Sequence, residues 1–239
     1  MDPRLTGLDL KTLALSLSDF LMPRVCICCG RQLLAGERHL CCVCLSDLPL
    51  THFWDVRHNP MADKYNALVE APGYETAVAL FFYSGDYKKI TQALKYNRDF
   101  KAGRWFAQML GERLMGAGLT DFDVVCPVPL HWSRRFRRGY NQAEVIGREV
   151  ARVLGVPFEP RLLRRARHTS SQTRLSAEDR ARNIAGAFEV RKLSLSARRV
   201  LLVDDVFTTG ATVASCAAAL REALGPEARI SVATLAFSE

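Results

Sequence analysis

The sequence lacks a long apolar run, an internal repeat and a low-complexity tract. No apolar stretch approaches the roughly 20 residues of a membrane-spanning helix, so we expect no membrane span. The leucine-rich residues 1–22 are interrupted by charged side chains and show no small-residue cleavage site. They predict an amphipathic helix at residues 8–21 rather than a secretory signal, and therefore a cytoplasmic protein.

The composition is that of a folded protein with a basic surplus. With 239 residues, 49% apolar and 24% charged, the chain can form one α/β domain plus a small appendage. The formal net charge of +8 is concentrated, because residues 131–152 carry six arginines and residues 161–182 carry seven. Such density suits polyanions such as pyrophosphate, nucleotides or nucleic acid, whereas a solvated surface is the alternative for the charge as a whole.

Residues 199–212 carry the strongest functional pattern. Apolar residues lead into Asp204 and Asp205, a Thr/Gly loop follows, and residues 213–220 predict a helix. A loop at a helix N-terminus binds phosphate through backbone N–H groups, with glycine allowing close approach. The carboxylates make sense if the ligand also carries sugar hydroxyls, so the pattern predicts a ribose 5-phosphate group. A buried strand with a polar turn is the alternative. The candidate phosphate-binding residues are Thr208, Thr209, Gly210, Ala211 and Thr212.

Six of the eight cysteines lie between positions 26 and 44. Two C-x-x-C pairs predict a structural zinc site with Cys26, Cys29, Cys41 and Cys44 as ligands. Cys28, Cys42 and His39 are alternative ligands. A disulfide-bonded unit is the competing interpretation, which a reducing cytoplasm disfavours. A ribbon of about 30 residues has little core, so the metal would supply its stability. The isolated Cys126 and Cys216 are expected to be core residues.

Strands and helices alternate along the rest of the chain. Their alternation predicts an α/β fold, a parallel sheet with helices on both faces, in which ligands bind at the C-terminal ends of strands. We assign residues 1–60 to an N-terminal helix and zinc ribbon and residues 61–239 to the α/β domain. Residues 166–183 predict a long mobile loop. The predicted strands are 77–83, 123–129, 199–205 and 229–237 with short ones near 162–163 and 187–190, and the predicted helices are 87–96, 102–118, 142–154 and 211–224.

Residues 199–212 resemble the 5-phosphoribosyl-1-pyrophosphate (PRPP) signature of type I phosphoribosyltransferases. The motifs Val128-Pro129-Leu130-His131 and Arg138-Gly139-Tyr140-Asn141-Gln142 precede it. Together with the cysteine pairs, Leu94-Lys95-Tyr96, and Gln172-Thr173 with Arg180 and Asn183, they make residues 20–237 similar to the ComF family, which includes ComFC and GntX. The resemblance implies a phosphoribosyltransferase fold, a zinc-binding N-terminus, and a role in DNA uptake during natural competence.

The resemblance also implies roles for individual residues. Asp204 and Asp205 would accept hydrogen bonds from the ribose hydroxyls of PRPP, the Thr/Gly loop would hold its 5-phosphate, and Mg²⁺ would bridge pyrophosphate and ribose oxygens. Displacing pyrophosphate requires neutralisation of the leaving group more than a dedicated base, and His131 and His168 are only candidate proton carriers. The residues that would contact pyrophosphate are Arg137, Arg138, Arg174 and Arg180.

Three functions are compatible with these residues. The first is a phosphoribosyltransferase that transfers ribose 5-phosphate to an acceptor. The second is a non-catalytic protein that senses PRPP or nucleotides, because fold and motif do not guarantee turnover. The third is an accessory protein that binds single-stranded DNA and contacts the competence machinery. Its basic strips 134–138 and 164–182 would attract phosphates, and Trp132, Phe136 and Tyr140 would stack on bases or pack in the core.

Overall fold

The computed structural model describes residues 23–130, 139–165, 187–191 and 197–239. The chain divides into two compact units, Met1–Leu48 and Pro49–Glu239. In the N-terminal unit, an antiparallel bridge pairs Val25 with Gln32, and helix α1 spans Cys42–Ser46. The second cysteine pair begins this short helix, with Cys41 as its N-cap.

The second unit is built around a four-stranded parallel sheet. Its strands are β1 (Ala77–Phe82), β2 (Val124–Pro127), β5 (Arg199–Phe207) and β6 (Arg229–Phe237). They lie in the order β1-β6-β5-β2. The two central strands are almost continuously apolar and buried, as expected for strands covered on both faces.

Two short strands stand apart from this sheet. Strands β3 (Leu163–Arg165) and β4 (Phe188–Val190) pair antiparallel with each other, and among the described residues they form a sheet of their own. Their existence agrees with the sequence, but periodicity over three residues cannot show which strand is the partner.

Five helices complete the described part of the second unit. Helix α5 begins where Asn141 Oδ1 accepts a hydrogen bond from the Ala143 amide, and it ends at Gly155 in the left-handed conformation, with φ of 69°. The helices are α2 (Pro60–Asn66), α3 (Lys88–Tyr96), α4 (Phe100–Gly116), α5 (Gln142–Leu154) and α6 (Ala211–Leu224), and 3-10 turns span Phe53–Asp55 and Gly85–Tyr87.

The helices cover both faces of the sheet, which confirms the predicted fold class. On one face, Gly147 of α5 lies against Val125 and Val203, where an added Cβ would be 3.6 Å from either side chain. Side chains alternate along strands, so Cys126 and Asp204 point to the opposite face. There Cys216 of α6 is fully buried near both groups, and burial, Cys126 and Asp204 raise the pKa of its thiol. Cys126 and Cys216 are therefore core residues, as predicted.

Residues 49–60 make their contacts in the second unit, although the sequence analysis groups them with the ribbon. The Phe82 amide donates to the Pro49 carbonyl over 2.9 Å, and the Thr51 hydroxyl donates to the Ala79 carbonyl. Helix α2, which the sequence pattern does not predict, is capped by Asn59. None of the helices in the described residues is long and apolar enough to cross a membrane.

Candidate functional site

The four cysteines predicted as metal ligands converge in the N-terminal unit. The sulfur atoms of Cys26, Cys29, Cys41 and Cys44 all lie within 4.8 Å of one another, and Cys29 Sγ is 3.8 Å from Cys41 Sγ. Tetrahedral zinc with Zn–S bonds of about 2.3 Å requires sulfur–sulfur distances of about 3.8 Å. This group can therefore hold a metal ion such as zinc, and Cys28 and Cys42 lie outside it.

Backbone groups make one of these thiols acidic. Burial raises the pKa of the Cys26 thiol, but hydrogen bonds from the backbone of Cys29, Cys41 and Cys28 outweigh it and lower the pKa to about 6. Burial, followed by hydrogen bonds among the neighbouring thiols, raises the pKa of Cys44. One thiolate therefore forms readily, whereas a full set of four requires a cation that compensates their charge.

Glu37 organises the loop between the two cysteine pairs, and the sequence analysis misses it. Its carboxylate accepts hydrogen bonds from the backbone amides of Leu34 and Cys42, both over 2.7 Å. These amides lower the pKa of Glu37. A single acidic residue in a polar loop has no distinctive spacing, so only the folded loop shows its role.

A second constellation lies at the C-terminal ends of β2 and β5. Asp204, Asp205 and Thr212 line a cavity of about 140 Å³. The backbone amide of Asp205 donates to Asp204 Oδ1 over 2.8 Å, which orients the Asp204 carboxylate. The remaining lining residues are Lys95, Val128, Pro129, Leu130, Asn141, Gln142 and Arg165.

The two carboxyl groups in the cavity disfavour each other's charged form. Burial first, and then the neighbouring charge of Asp205, raise the pKa of Asp204 to about 8. Lys95 opposes this rise, because its ammonium lies 2.9 Å from Asp205 Oδ2 and both side chains are mostly buried. At neutral pH, the pair of carboxylates therefore carries less than its full negative charge.

The loop before α6 has the geometry of a helix N-terminus without a side-chain cap. Gly210 takes φ of 78°, and a Cβ there would lie 2.6 Å from Phe207 Cζ, so only glycine fits. The N-cap residue Gly210 has no side chain that could cap the helix, and the Thr209 hydroxyl accepts a hydrogen bond of 3.4 Å from the Ala211 amide. Thr208 and Thr209 are exposed, and first-turn amides of the helix remain available to an anion.

Asn141 positions the turn that follows β2. Its Nδ2 donates to the Val128 carbonyl over 2.9 Å, while its Oδ1 caps α5. The Val128 amide donates to the Val203 carbonyl, so the turn stays joined to β5. The sequence motif contains Asn141, but the fold gives this residue a structural role at the cavity.

Of the remaining predicted residues, the structure describes only Tyr140. Tyr140 is described, and its ring packs edge-on against Phe100 with centroids 4.6 Å apart, as the core-packing interpretation predicts. The other predicted contacts and elements lie outside the described residues; they are Arg137, Arg138, Arg174, Arg180, His131, His168, Trp132, Phe136, helix 8–21 and the whole of loop 166–183.

Comparison with known proteins identifies relatives over most of the chain. Competence protein F of Haemophilus influenzae is 35% identical over 168 residues, covering 68% of this chain and 73% of that protein. The chain belongs to the ComF family. A DNA utilization protein, YhgH, of Salmonella typhimurium is 32% identical over 213 residues, covering 82% and 90%. Competence protein ComFC of Streptococcus pneumoniae is 28% identical over 147 residues, covering 61% of each chain.

Comparisons with protein-family models and with solved structures contribute less to the description of this ComF family member. No protein-family model matches the chain. Two solved adenine phosphoribosyltransferases are similar in structure. The one from Thermoanaerobacter pseudethanolicus is 22% identical with a TM-score of 0.37, covering 59% of this chain and 82% of that one. The one from Leishmania tarentolae is 18% identical with a TM-score of 0.35, covering 71% and 82%. At such TM-scores, the fold rests on the topology described above.

Proposed function

We propose that this protein binds PRPP in the cavity at the C-terminal end of β5. The observation that carries the proposal is that one cavity is lined by Asp204, Asp205 and Thr212, the last of these in the first turn of an uncapped helix. Carboxylates accept hydrogen bonds from vicinal hydroxyls, and helix N-termini bind phosphate. A ribose 5-phosphate group carries both vicinal hydroxyls and a phosphate.

In this proposal each residue has a distinct role. Asp204 and Asp205 accept hydrogen bonds from the ribose hydroxyls. The backbone amides and hydroxyls of residues 208–212 hold the 5-phosphate, and the positive φ of Gly210 turns the chain so that the loop leads directly into α6. When no ligand is bound, the ammonium of Lys95 partly neutralises the charge of the carboxylates. Arg165 lines the same cavity and supplies positive charge toward a phosphate.

The carboxylate pair also fits a magnesium ion carried by PRPP. Mg²⁺ prefers oxygen ligands, and burial first and then the neighbouring charge of Asp205 raise the pKa of Asp204, both of which a cation would offset. The residues that would face the ion are Asp204 and Asp205. When bound, Mg²⁺ supplies neutralising charge to the pyrophosphate. The cysteine group of the N-terminal unit would hold a structural zinc ion, which stabilises a segment with little core.

The reaction that such a site supports is phosphoribosyl transfer. The bond between C1 and the pyrophosphate oxygen breaks, pyrophosphate leaves with the electron pair, and an acceptor forms a new bond to C1 and loses a proton. The contribution of the chain is orientation of the ribose and electrostatic stabilisation. Binding without turnover is the second candidate function. It is supported by the ion pair between Lys95 and Asp205, which PRPP must rearrange when it binds.

The cellular role follows from the relatives. Proteins named for competence and for DNA utilization are similar to this chain over most of its length, so we place this protein in the uptake and use of DNA. Substituting both Asp204 and Asp205 in the chromosomal gene of a competent host should lower the transformation frequency. An unchanged frequency with normal protein levels would separate the ligand site from DNA uptake.

Calorimetric titration of PRPP with Mg²⁺ tests the proposed ligand directly. The variant Asp204→Asn/Asp205→Asn should lose at least about tenfold in affinity, because it removes the charged acceptors for the ribose hydroxyls. Asp55→Asn/Asp86→Asn is the matched control, since it also removes two carboxylates of the second unit, both exposed and neither lining the cavity. Equal PRPP affinity in both double variants would refute the proposal. Pyrophosphate release measured with a panel of acceptors then separates transfer from binding alone.

A further inference from the structure

A larger cavity adjoins the proposed PRPP site. It has a volume of about 590 Å³ and lies between the start of α5, the turn after β2, and the β3–β4 pair. Four residues line both cavities, so the two spaces share a wall; they are Pro129, Leu130, Asn141 and Arg165. The larger cavity contains neither of the carboxylates Asp204 and Asp205.

The lining of this cavity is strongly basic. Glu144 is the one acidic residue among its described lining residues. Arg164 is paired with Glu189. For Arg148, Arg161 and Arg191, no carboxylate in the described part of the chain lies within ion-pair distance. The arginines that line the cavity are Arg148, Arg161, Arg164, Arg165 and Arg191, which come from a helix, a loop and both short strands or their ends.

Two of these arginines are held by aromatic rings. The guanidinium of Arg148 lies 4.9 Å from the centre of the Phe158 ring, and that of Arg165 lies 5.4 Å from the centre of the Phe188 ring. Stacking on a ring restrains the guanidinium plane without using its N–H donors. A planar donor fork suits phosphate oxygens, and this arrangement therefore favours a ligand with several phosphates.

The cavity also has apolar walls. Pro129, Leu130, Pro160 and Leu163 line it beside the arginines. Its volume falls in the range of about 300–1,000 Å³ that is typical of small-molecule sites. Apolar walls suit a base or sugar, whereas arginines suit phosphates. We propose that this cavity, which shares one wall with the smaller cavity, is a second site, for a nucleotide that carries two or three phosphates.

The two sites should influence each other. A nucleotide in the larger cavity and PRPP in the smaller one would both contact Arg165, and their phosphates would repel each other. Each ligand should therefore weaken the affinity for the other by the same factor. This coupling rests on the proposed PRPP site, but nucleotide binding itself does not.

Calorimetry with ADP and ATP at fixed free Mg²⁺ tests the second site. Arg161→Ala/Arg191→Ala should weaken ADP binding at least about tenfold, because it removes two charged phosphate donors, and should leave PRPP affinity within about twofold. Asp204→Asn/Asp205→Asn should do the reverse. Arg104→Ala/Arg152→Ala is the charge-matched control, since both residues are exposed on helices and neither lines either of the two cavities described above. Thermal unfolding of every variant should show an intact fold.

Several outcomes would overturn the second site. Equal losses of ADP and PRPP affinity in Arg161→Ala/Arg191→Ala would make the cavity the pyrophosphate end of the PRPP site. If inorganic phosphate binds as tightly as ADP, the arginines attract phosphate by charge alone and the cavity is not a nucleotide site. Binding of a single-stranded oligonucleotide without binding of ADP would assign the arginines to nucleic acid. If ADP binds as described but PRPP does not bind the unmodified protein, the proposed function alone fails.

Discussion

The ammonium of Lys95 lies 2.9 Å from the carboxylate of Asp205, and this contact joins the C-terminal turn of α3 to the C-terminal end of β5. The Lys95 side chain is 20% exposed and the Asp205 side chain 13%, so solvent screens the pair less than a surface ion pair. The contact places a positive charge in the cavity that also contains Asp204. Lys95 therefore influences both carboxylates, although it approaches only one of them.

Substitution of Lys95 should change the pH dependence of PRPP binding. The positive charge of Lys95 lowers the pKa of Asp204, which burial and Asp205 raise to about 8. If PRPP requires ionised Asp204, affinity increases as the pH rises through about 8, and Lys95→Ala should move this midpoint upward. Calorimetric titration between pH 6 and pH 10, each value in a separate experiment, measures the shift. Lys89→Ala is the control, because Lys89 lies on the same helix as Lys95 and forms an exposed 2.9 Å ion pair with Asp86 of the preceding 3-10 turn. A midpoint that stays unchanged in Lys95→Ala would contradict this prediction.

Asp204 should also cost the protein stability at neutral and alkaline pH. Its folded-state pKa of about 8 lies above the ordinary value, so the folded protein binds more protons than the unfolded chain between about pH 4 and pH 8. Stability therefore falls as the pH rises through this window. Asp204→Asn should raise Tm on the order of 2–4 °C at pH 8.5, and the gain should vanish near pH 4. Thermal unfolding of both proteins at the two pH values provides the test, and an equal or larger gain at pH 4 would argue against it.

The cysteine group should bind one zinc ion per chain. Cys29→Ser removes one of the four converging sulfur atoms and should reduce the zinc content to near zero, with loss of structure in residues 23–48. Cys42→Ser is the matched control, because Cys42 is an exposed cysteine of the same segment that lies outside the group. Elemental analysis of reduced, freshly purified protein measures the metal. Zinc in equal amounts in both variants would mean that other groups bind it.

Gly210 should be required for both stability and phosphate binding. A Cβ at this position would meet Phe207 Cζ at 2.6 Å and Leu68 Cδ1 at 2.9 Å, besides the strain of φ at 78°. Gly225→Ala is the control, since its φ of 101° is also strained but nothing lies within 4 Å of the new atom. We expect the control to cost about 1–2 kcal/mol of folding free energy and Gly210→Ala to cost more and to lose PRPP affinity. Denaturant unfolding and calorimetry measure both effects, and equal costs would show that the contacts with Phe207 and Leu68 do not matter.

The buried ion pair between Glu75 and Arg221 should stabilise the domain through mutual compensation. Glu75 is fully buried, and its Oε1 lies 3.1 Å from Arg221 Nη2. Arg221→Met should cost about 3 kcal/mol, because among the cations of the described segments it leaves the buried carboxylate with only the more distant Arg229 at 3.5 Å. Glu75→Gln/Arg221→Met should cost less than the sum of its two single changes. Denaturant unfolding of all four proteins tests this, and strict additivity would mean that the pair is not coupled.

Much of the architecture was predictable because its signals are local. Helices 142–154 and 211–224 and strand 229–237 have the predicted bounds, since apolar periodicity and the end signals agree at each. Helix α2 was missed because only seven residues form it, and its contacts, such as the Tyr65 hydroxyl to the Ile230 carbonyl at 2.8 Å, are distant in sequence.

The candidate site divides in the same way. The carboxylate pair, the Thr/Gly loop and the cysteine pairs are recognisable in the sequence alone, because each is a contiguous chemical pattern. Only the tertiary structure decided that Lys95 and Arg165 share a cavity with Asp204 and Asp205, that Cys28 and Cys42 lie outside the metal group, and that Asp204 has a raised pKa. Distances between elements and the burial of a charge arise from packing of segments far apart in the chain, and no local pattern records them.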